Sequence, residues 1–132
     1  MDRVEVLKKA YQDELLDALR AERAAERVPY PHIRALLEEV AKRERAHAEA
    51  IAETLRRLQA PLPPTPKVAV KEEEGWEALL RLLSEEGFDR AYYLESTFPD
   101  PDLEALFTRL GQEEKFNQEA IRKAVALLGG GL

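Results

Sequence analysis

The sequence predicts an all-α protein, a four-helix bundle, on three observations. Apolar residues recur at helical spacing through most of its 132 residues. Proline-bearing breaks at 28–31, 60–67 and 98–101 cut that pattern into four segments. The two halves of the chain also match each other at an offset of seventy residues. No strand-like alternation runs longer than a few residues.

The first helix opens on Asp2 with Glu5 three residues later, a capping-box variant in which each side chain answers the other's backbone N–H, and it runs to about Arg27. Val28-Pro29-Tyr30-Pro31 ends it, because proline cannot continue a helix but suits the first turn of the next. The second helix is expected from Pro31 to about Gln59. A proline-rich connector follows from Ala60 to Lys67 and continues to Lys71. The third helix is expected over about 72–97, with Gly75 and Gly87 as weak points. Phe98-Pro99-Asp100-Pro101 turns the chain again, and Gly129-Gly130-Gly131 stops the fourth helix. The chain thus divides as one domain over 1–132: hairpin one at 2–59, linker at 60–71, hairpin two at 72–128.

Composition fits and excludes. Hydrophobic residues make up 45% and charged residues 35%, the balance of amphipathic helices. A net charge of −6, with Arg43, Arg45, Arg56 and Arg57 interleaved among glutamates as a solvated face, offers no clustered basic surface for nucleic acid. Without cysteine there is no disulfide, thiolate metal site or iron–sulfur cluster. No apolar run approaches the roughly 20 residues that span a bilayer, and MDRVEVLKK lacks a signal-peptide core. The expectation is a cytoplasmic protein that engages neither membrane nor nucleic acid.

The repeat sets VPYPHIRALLEEVAKRERAHAEAI on FPDPDLEALFTRLGQEEKFNQEAI, with eight of twenty-four positions identical, both turn prolines among them. Apolar positions coincide as well: Ile33 with Leu103, Leu37 with Phe107, Val40 with Leu110, Ile51 with Ile121. A helical hairpin that buries one face against its twin is the simplest account. If the hairpins pair about a two-fold axis, the linker must travel the length of helix two, on the order of 40 Å. A polyproline-like segment over 60–71 reaches on the order of 37 Å. Length permits that crossover, and a short up-down connection equally.

Chemistry enters on the core stripe of helix two, Ile33, Leu36, Leu37, Val40, Glu44, His47, Ala48, Ile51, Leu55. Glu44 points to its middle and His47 sits one turn along on the same face. A carboxylate in an apolar stripe loses water at a cost of several kcal/mol unless something compensates. Glu-x-x-His is the arrangement with which carboxylate bundles hold metal. Helix one offers Glu14 in the stripe Val4, Leu7, Tyr11, Glu14, Leu15, Ala18, Ala25. Glu14 stands thirteen residues before Arg27 and Glu44 thirteen after Pro31, so an antiparallel hairpin sets them level, which favours Glu14 over Glu22.

This pattern resembles the ferritin-like superfamily, its rubrerythrin-type members in particular, over nearly the whole chain. Gln12-Asp13-Glu14, the proline turn, Glu44-x-x-His47 and the proline-rich segment after helix two are similar to those of small single-bundle bacterial members. The resemblance implies one carboxylate from the first helix of each hairpin and Glu-x-x-His from the second. Those six residues would hold two ions, Fe or Mn, for oxygen or peroxide chemistry. Glu14, Glu44 and His47 match residue by residue. In hairpin two the offset puts Glu114 on Glu44, but Asn117 on His47 and Ser84 on Glu14. Asparagine suits iron poorly, although its carbonyl oxygen serves hard cations. Glu85 points away from the core face of helix three and Glu86 lies at its edge, so Glu86 would need a re-registration at Gly87 to turn inward. The expected ligand set is Glu14, Glu44, His47 and Glu114, with Glu86 and Asn117 as further candidates; a single ion, an asymmetric pair and a vestigial site all remain open.

Two functions follow. One is a metal-binding, oxidoreductase-like protein using one or two Fe or Mn ions, whose lack of cysteine demands an external electron donor. The other is a metal-free bundle serving as a structural or interaction module. Surplus apolar surface leads us to expect a homodimer. Tyr11, Tyr92, Tyr93, Trp76 and Phe88 are read as packing residues, and His32 as exposed.

Overall fold

The computed structural model describes residues 2–68, 75–86 and 100–129, with the side chains of Glu85 and Glu86 outside that set. Helices α1 (Arg3–Arg27), α2 (Pro31–Arg57), α3 (Gly75–Glu86) and α4 (Pro101–Leu127) form an all-α bundle, with no strand among the described residues. None of these helices is long and apolar enough to cross a membrane. The expected ends of helix three, together with Gly87, Phe88, Tyr92 and Tyr93, lie outside the described residues.

Local chemistry sets the boundaries. The Asp2 carboxylate accepts from the Glu5 backbone N–H, and Asp100 caps α4 by accepting from the N–H groups of Asp102 and Leu103. Pro31 and Pro101 occupy the first turns of α2 and α4, where the missing N–H costs nothing. Helix α2 stops at Arg57, two residues before the expected Gln59. There Gln59 takes φ +56°, and the Ala60 N–H reaches back to the Leu55 carbonyl at 2.9 Å. This reversal satisfies the helix's last carbonyls with a left-handed residue that is not glycine.

Helix α1 packs on α2 and α3, and α4 packs on α2 and α3, while the backbones of the diagonal pairs α1–α4 and α2–α3 stay apart among the described residues. The bundle therefore closes as a ring in the order α1–α2–α4–α3. Two apolar clusters give the directions. Val6, Leu7 and Ala10 of α1, Ile51 and Leu55 of α2, and Leu103, Phe107 and Leu110 of α4 share one end. Ala21 to Ala25 of α1, Ile33 to Val40 of α2, Leu79, Leu80 and Leu83 of α3, and Ile121 and Ala124 of α4 share the other. Helix α2 is thus antiparallel to α1 and α4 and finishes at the first end, whereas the described part of α3 lies at the second, so the chain crosses the bundle between them. Leu58 and Ala60 pack at the first end and Val68 at the second, so the proline-rich linker spans the bundle lengthwise. Midway, the Gln12 side chain donates to the Pro64 carbonyl at 3.2 Å and pins the linker along α1.

Most of the expected stripe of α2 is buried, with Leu36 only partly so; on α1 the expected Val4 and Tyr11 are only partly buried, while Val6, Ala10, Ala21 and Ala24 join the buried face. These alanines let α1 and α2 approach closely. Trp76 meets Tyr30 edge-on at 6.1 Å and is half-buried beside the second cluster.

Candidate metal centre

Between the two apolar clusters lies one polar layer. It falls between Ala10 and Ala21 on α1, between Ala41 and Ile51 on α2, and between Leu110 and Ala120 on α4. It holds Glu14, Glu44, His47, Glu114 and Asn117, none more than 3% exposed. Helical phase puts each of these in line with the apolar residues above and below it, so the packing that buries the leucines buries the carboxylates too.

Glu14, Glu44, His47 and Glu114 each present a ligand-type atom, and these atoms lie within 4.8 Å of one another. Glu14 and Glu44 stand at the same depth, as their equal distances from the turn require. The imidazole is central. Its Nδ1 faces inward, 2.9 Å from Glu114 Oε1 and 3.5 Å from Glu14 Oε2 and from Glu44 Oε1. Its Nε2 faces outward, 3.0 Å from Glu113 Oε1, on a glutamate that is partly exposed. Asn117 donates from Nδ2 to Glu44 Oε1 and lies 3.5 Å from Glu114 Oε2. Its Oδ1 accepts from Arg43 Nη1 at 2.7 Å.

With protons as the only cations, the layer holds on to them. Burial first, then the hydrogen bond and charge of Glu14 and the charge of Glu114, push the Glu44 carboxyl well above the usual carboxylate range. Glu114 is raised chiefly by burial, against the opposing effect of its hydrogen bond to His47. For His47, burial works against the charged form, yet hydrogen bonds to Glu114 and Glu14 and their charges outweigh it and lift the imidazole to about 10. Glu44 and Glu114, holding protons in this way beside the Glu14 carboxylate, belong to a set from which a divalent cation displaces protons. The donors, carboxylate oxygens and one imidazole nitrogen, suit Fe2+ and Mn2+.

The remaining candidates fall differently. Ser84 is exposed, because the inward phase of α3 is carried by Leu79, Leu80 and Leu83. The seventy-residue offset therefore slips by one position in this helix, and the inward place nearest Ser84 holds Leu83. The side chain of Glu86 lies outside the described residues. Glu22 stays on the surface, where it pairs with Arg45 at 2.6 Å. His32 is exposed and Tyr11 half-buried. Arg43, grouped by sequence with the solvated arginines, instead reaches Asn117. It is also held by Glu39 Oε1 at 2.8 Å and by the Phe116 ring, 5.4 Å from its centroid. Glu113 likewise escaped the sequence reading. Both stand immediately before a buried glutamate, and the seventy-residue offset maps one onto the other.

A ring of four helices with a lengthwise crossover, enclosing a buried carboxylate–imidazole cluster, defines a ferritin-like protein with a group able to hold a metal ion. The Rubrerythrin family model matches residues 5–125, and the chain belongs to that family. No curated protein and no solved structure matches it.

Proposed function

We propose that this protein binds Fe or Mn through Glu14, Glu44, His47 and Glu114 and serves oxygen or peroxide chemistry. The observation that carries the reading is the convergence of four buried ligand-type side chains from three helices within 4.8 Å. Four such groups in one apolar interior are costly unless a cation or protons unite them. A bound redox-active ion supplies the electron transfer that these side chains lack. The chain's own residues bind and orient it. Glu113 holds His47 through Nε2 and so directs the Nδ1 lone pair inward, the outer carboxylate fixing the tautomer. The apolar clusters above and below keep bulk water from the layer. With no cysteine, the chain carries no thiolate electron carrier, so the reductant comes from a partner.

Elemental analysis of protein purified without chelators, paired with peroxide consumption in the presence of an external reductant, tests this. Bound Fe or Mn together with metal-dependent turnover is expected. Protein that stays metal-free after incubation with either ion sinks the reading. The structural-module alternative would then stand, favoured by the way His47 and Asn117 hydrogen-bond the carboxylates without an ion.

A further inference from the structure

We propose that the Arg43–Asn117 pair occupies the place of a second metal ion, so that the layer is built for one ion. The inference rests on the metal-binding reading above. Arginine has only donors, so the Asn117 atom 2.7 Å from Arg43 Nη1 is the carbonyl oxygen. The Nδ2 group is therefore turned inward, donating to Glu44 and lying 3.5 Å from Glu114 Oε2. An amide nitrogen offers a metal no usable lone pair. Turning the amide over would break a charge-assisted bond and set the amino group against a guanidinium. Arg43 itself is pinned by Glu39 and the Phe116 ring, so the orientation is fixed from outside.

The seventy-residue correspondence shows that the two halves of the layer are matched opposites. Position 113 reaches across the bundle to position 47, and position 43 reaches across to position 117. In one half an acceptor, Glu113, meets histidine at 3.0 Å; in the other a donor, Arg43, meets asparagine at 2.7 Å. An imidazole at 117 would turn its outer N–H toward a guanidinium, so Arg43 and Asn117 belong together just as Glu113 and His47 do. Charge agrees. Among the buried groups, three carboxylates facing one divalent ion leave a single negative charge, which Arg43 meets through the amide. Two divalent ions would leave an excess of positive charge beside a guanidinium, where screening is weak. Helix α3 adds no carboxylate among the side chains described, its inward residues being Leu79, Leu80 and Leu83.

The test uses the full chain loaded with excess Mn2+, with ions per chain measured after desalting and the Mn2+ spin state read by electron paramagnetic resonance. Wild type is expected to hold one uncoupled ion. Asn117→His alone should also hold one, because Arg43 still faces the new imidazole. Arg43→Glu with Asn117→His recreates the acceptor–histidine pairing of the other half and should hold two. Two ions in wild type, or a spin-coupled pair in its spectrum, would overturn this inference while leaving metal binding intact. A double variant that folds and still holds one ion would overturn it as well. Wild type that takes up no ion would overturn both readings. If the double variant fails to fold, the wild-type count and spectrum decide.

Discussion

His47 and Glu114 meet across the bundle from helices of different hairpins, with Nδ1 2.9 Å from Oε1. That contact joins the two halves of the chain into one polar layer, and both ends of it are buried. A cation bound there must take the place of the proton the two groups share.

Glu44→Gln separates metal binding from folding. Glutamine is a neutral isostere that keeps Oε1 as an acceptor for Asn117, and it removes a carboxylate whose ionisation burial opposes. Metal affinity should fall by about 100-fold or more, since loss of even an outer partner of a metal ligand costs 10- to 100-fold. Thermal unfolding in chelator should show metal-free stability equal to or above wild type. A clear loss of metal-free stability with unchanged metal affinity would contradict the assignment.

His47→Gln should act on both. The imidazole carries the proton that compensates the surrounding carboxylates, and removing one partner of a buried charged network costs about 3 kcal/mol. For a domain of this size that lowers Tm on the order of 10 °C. Calorimetry of the metal-free protein near pH 7 checks this, and Mn2+ in excess should not restore the loss.

The pH dependence should reverse sign with metal. Glu44 has its folded pKa raised, so the stability its proton contributes is complete below its ordinary value of 4.5 and is lost as pH rises through the folded value. His47 is raised from 6.5 to about 10, so its contribution is complete below pH 6.5 and lost between there and about 10. Metal-free protein should therefore lose Tm steadily from near neutrality to pH 10. Metal-loaded protein should gain over the lower part of that range, because protons compete with the ion for the same atoms. Tm measured across pH 5–10 with chelator and with Mn2+ gives both curves.

Phe107→Ala serves as a packing control. Phe107 is fully buried in the cluster at the α1 N-terminal end, away from the polar layer. Its truncation should cost about 3–5 kcal/mol through lost burial and the cavity left behind. The number of ions per folded chain should not change. A variant that unfolds at unchanged Tm would mean that this cluster contributes little.

Helical periodicity and proline placement were enough to read the bundle from sequence, because both act within a few residues along the chain. The same is true of Glu14, Glu44, His47 and Glu114: a charged residue in phase with leucines must go where they go, and equal distances from a tight turn must bring Glu14 and Glu44 level. Three things were decided only in three dimensions. The crossover was one of two connections that length allowed, and it was settled by Leu58 and Val68 packing at opposite ends. Helix α3 slips by one residue against the repeat, which exposes Ser84, because the pairing of faces follows the whole apolar stripe and not a single aligned position. Arg43 and Glu113 look like surface charges in sequence. Their long, flexible side chains reach different partners depending on which helix lies opposite, and only the ring order of the bundle sets Asn117 before one and His47 before the other.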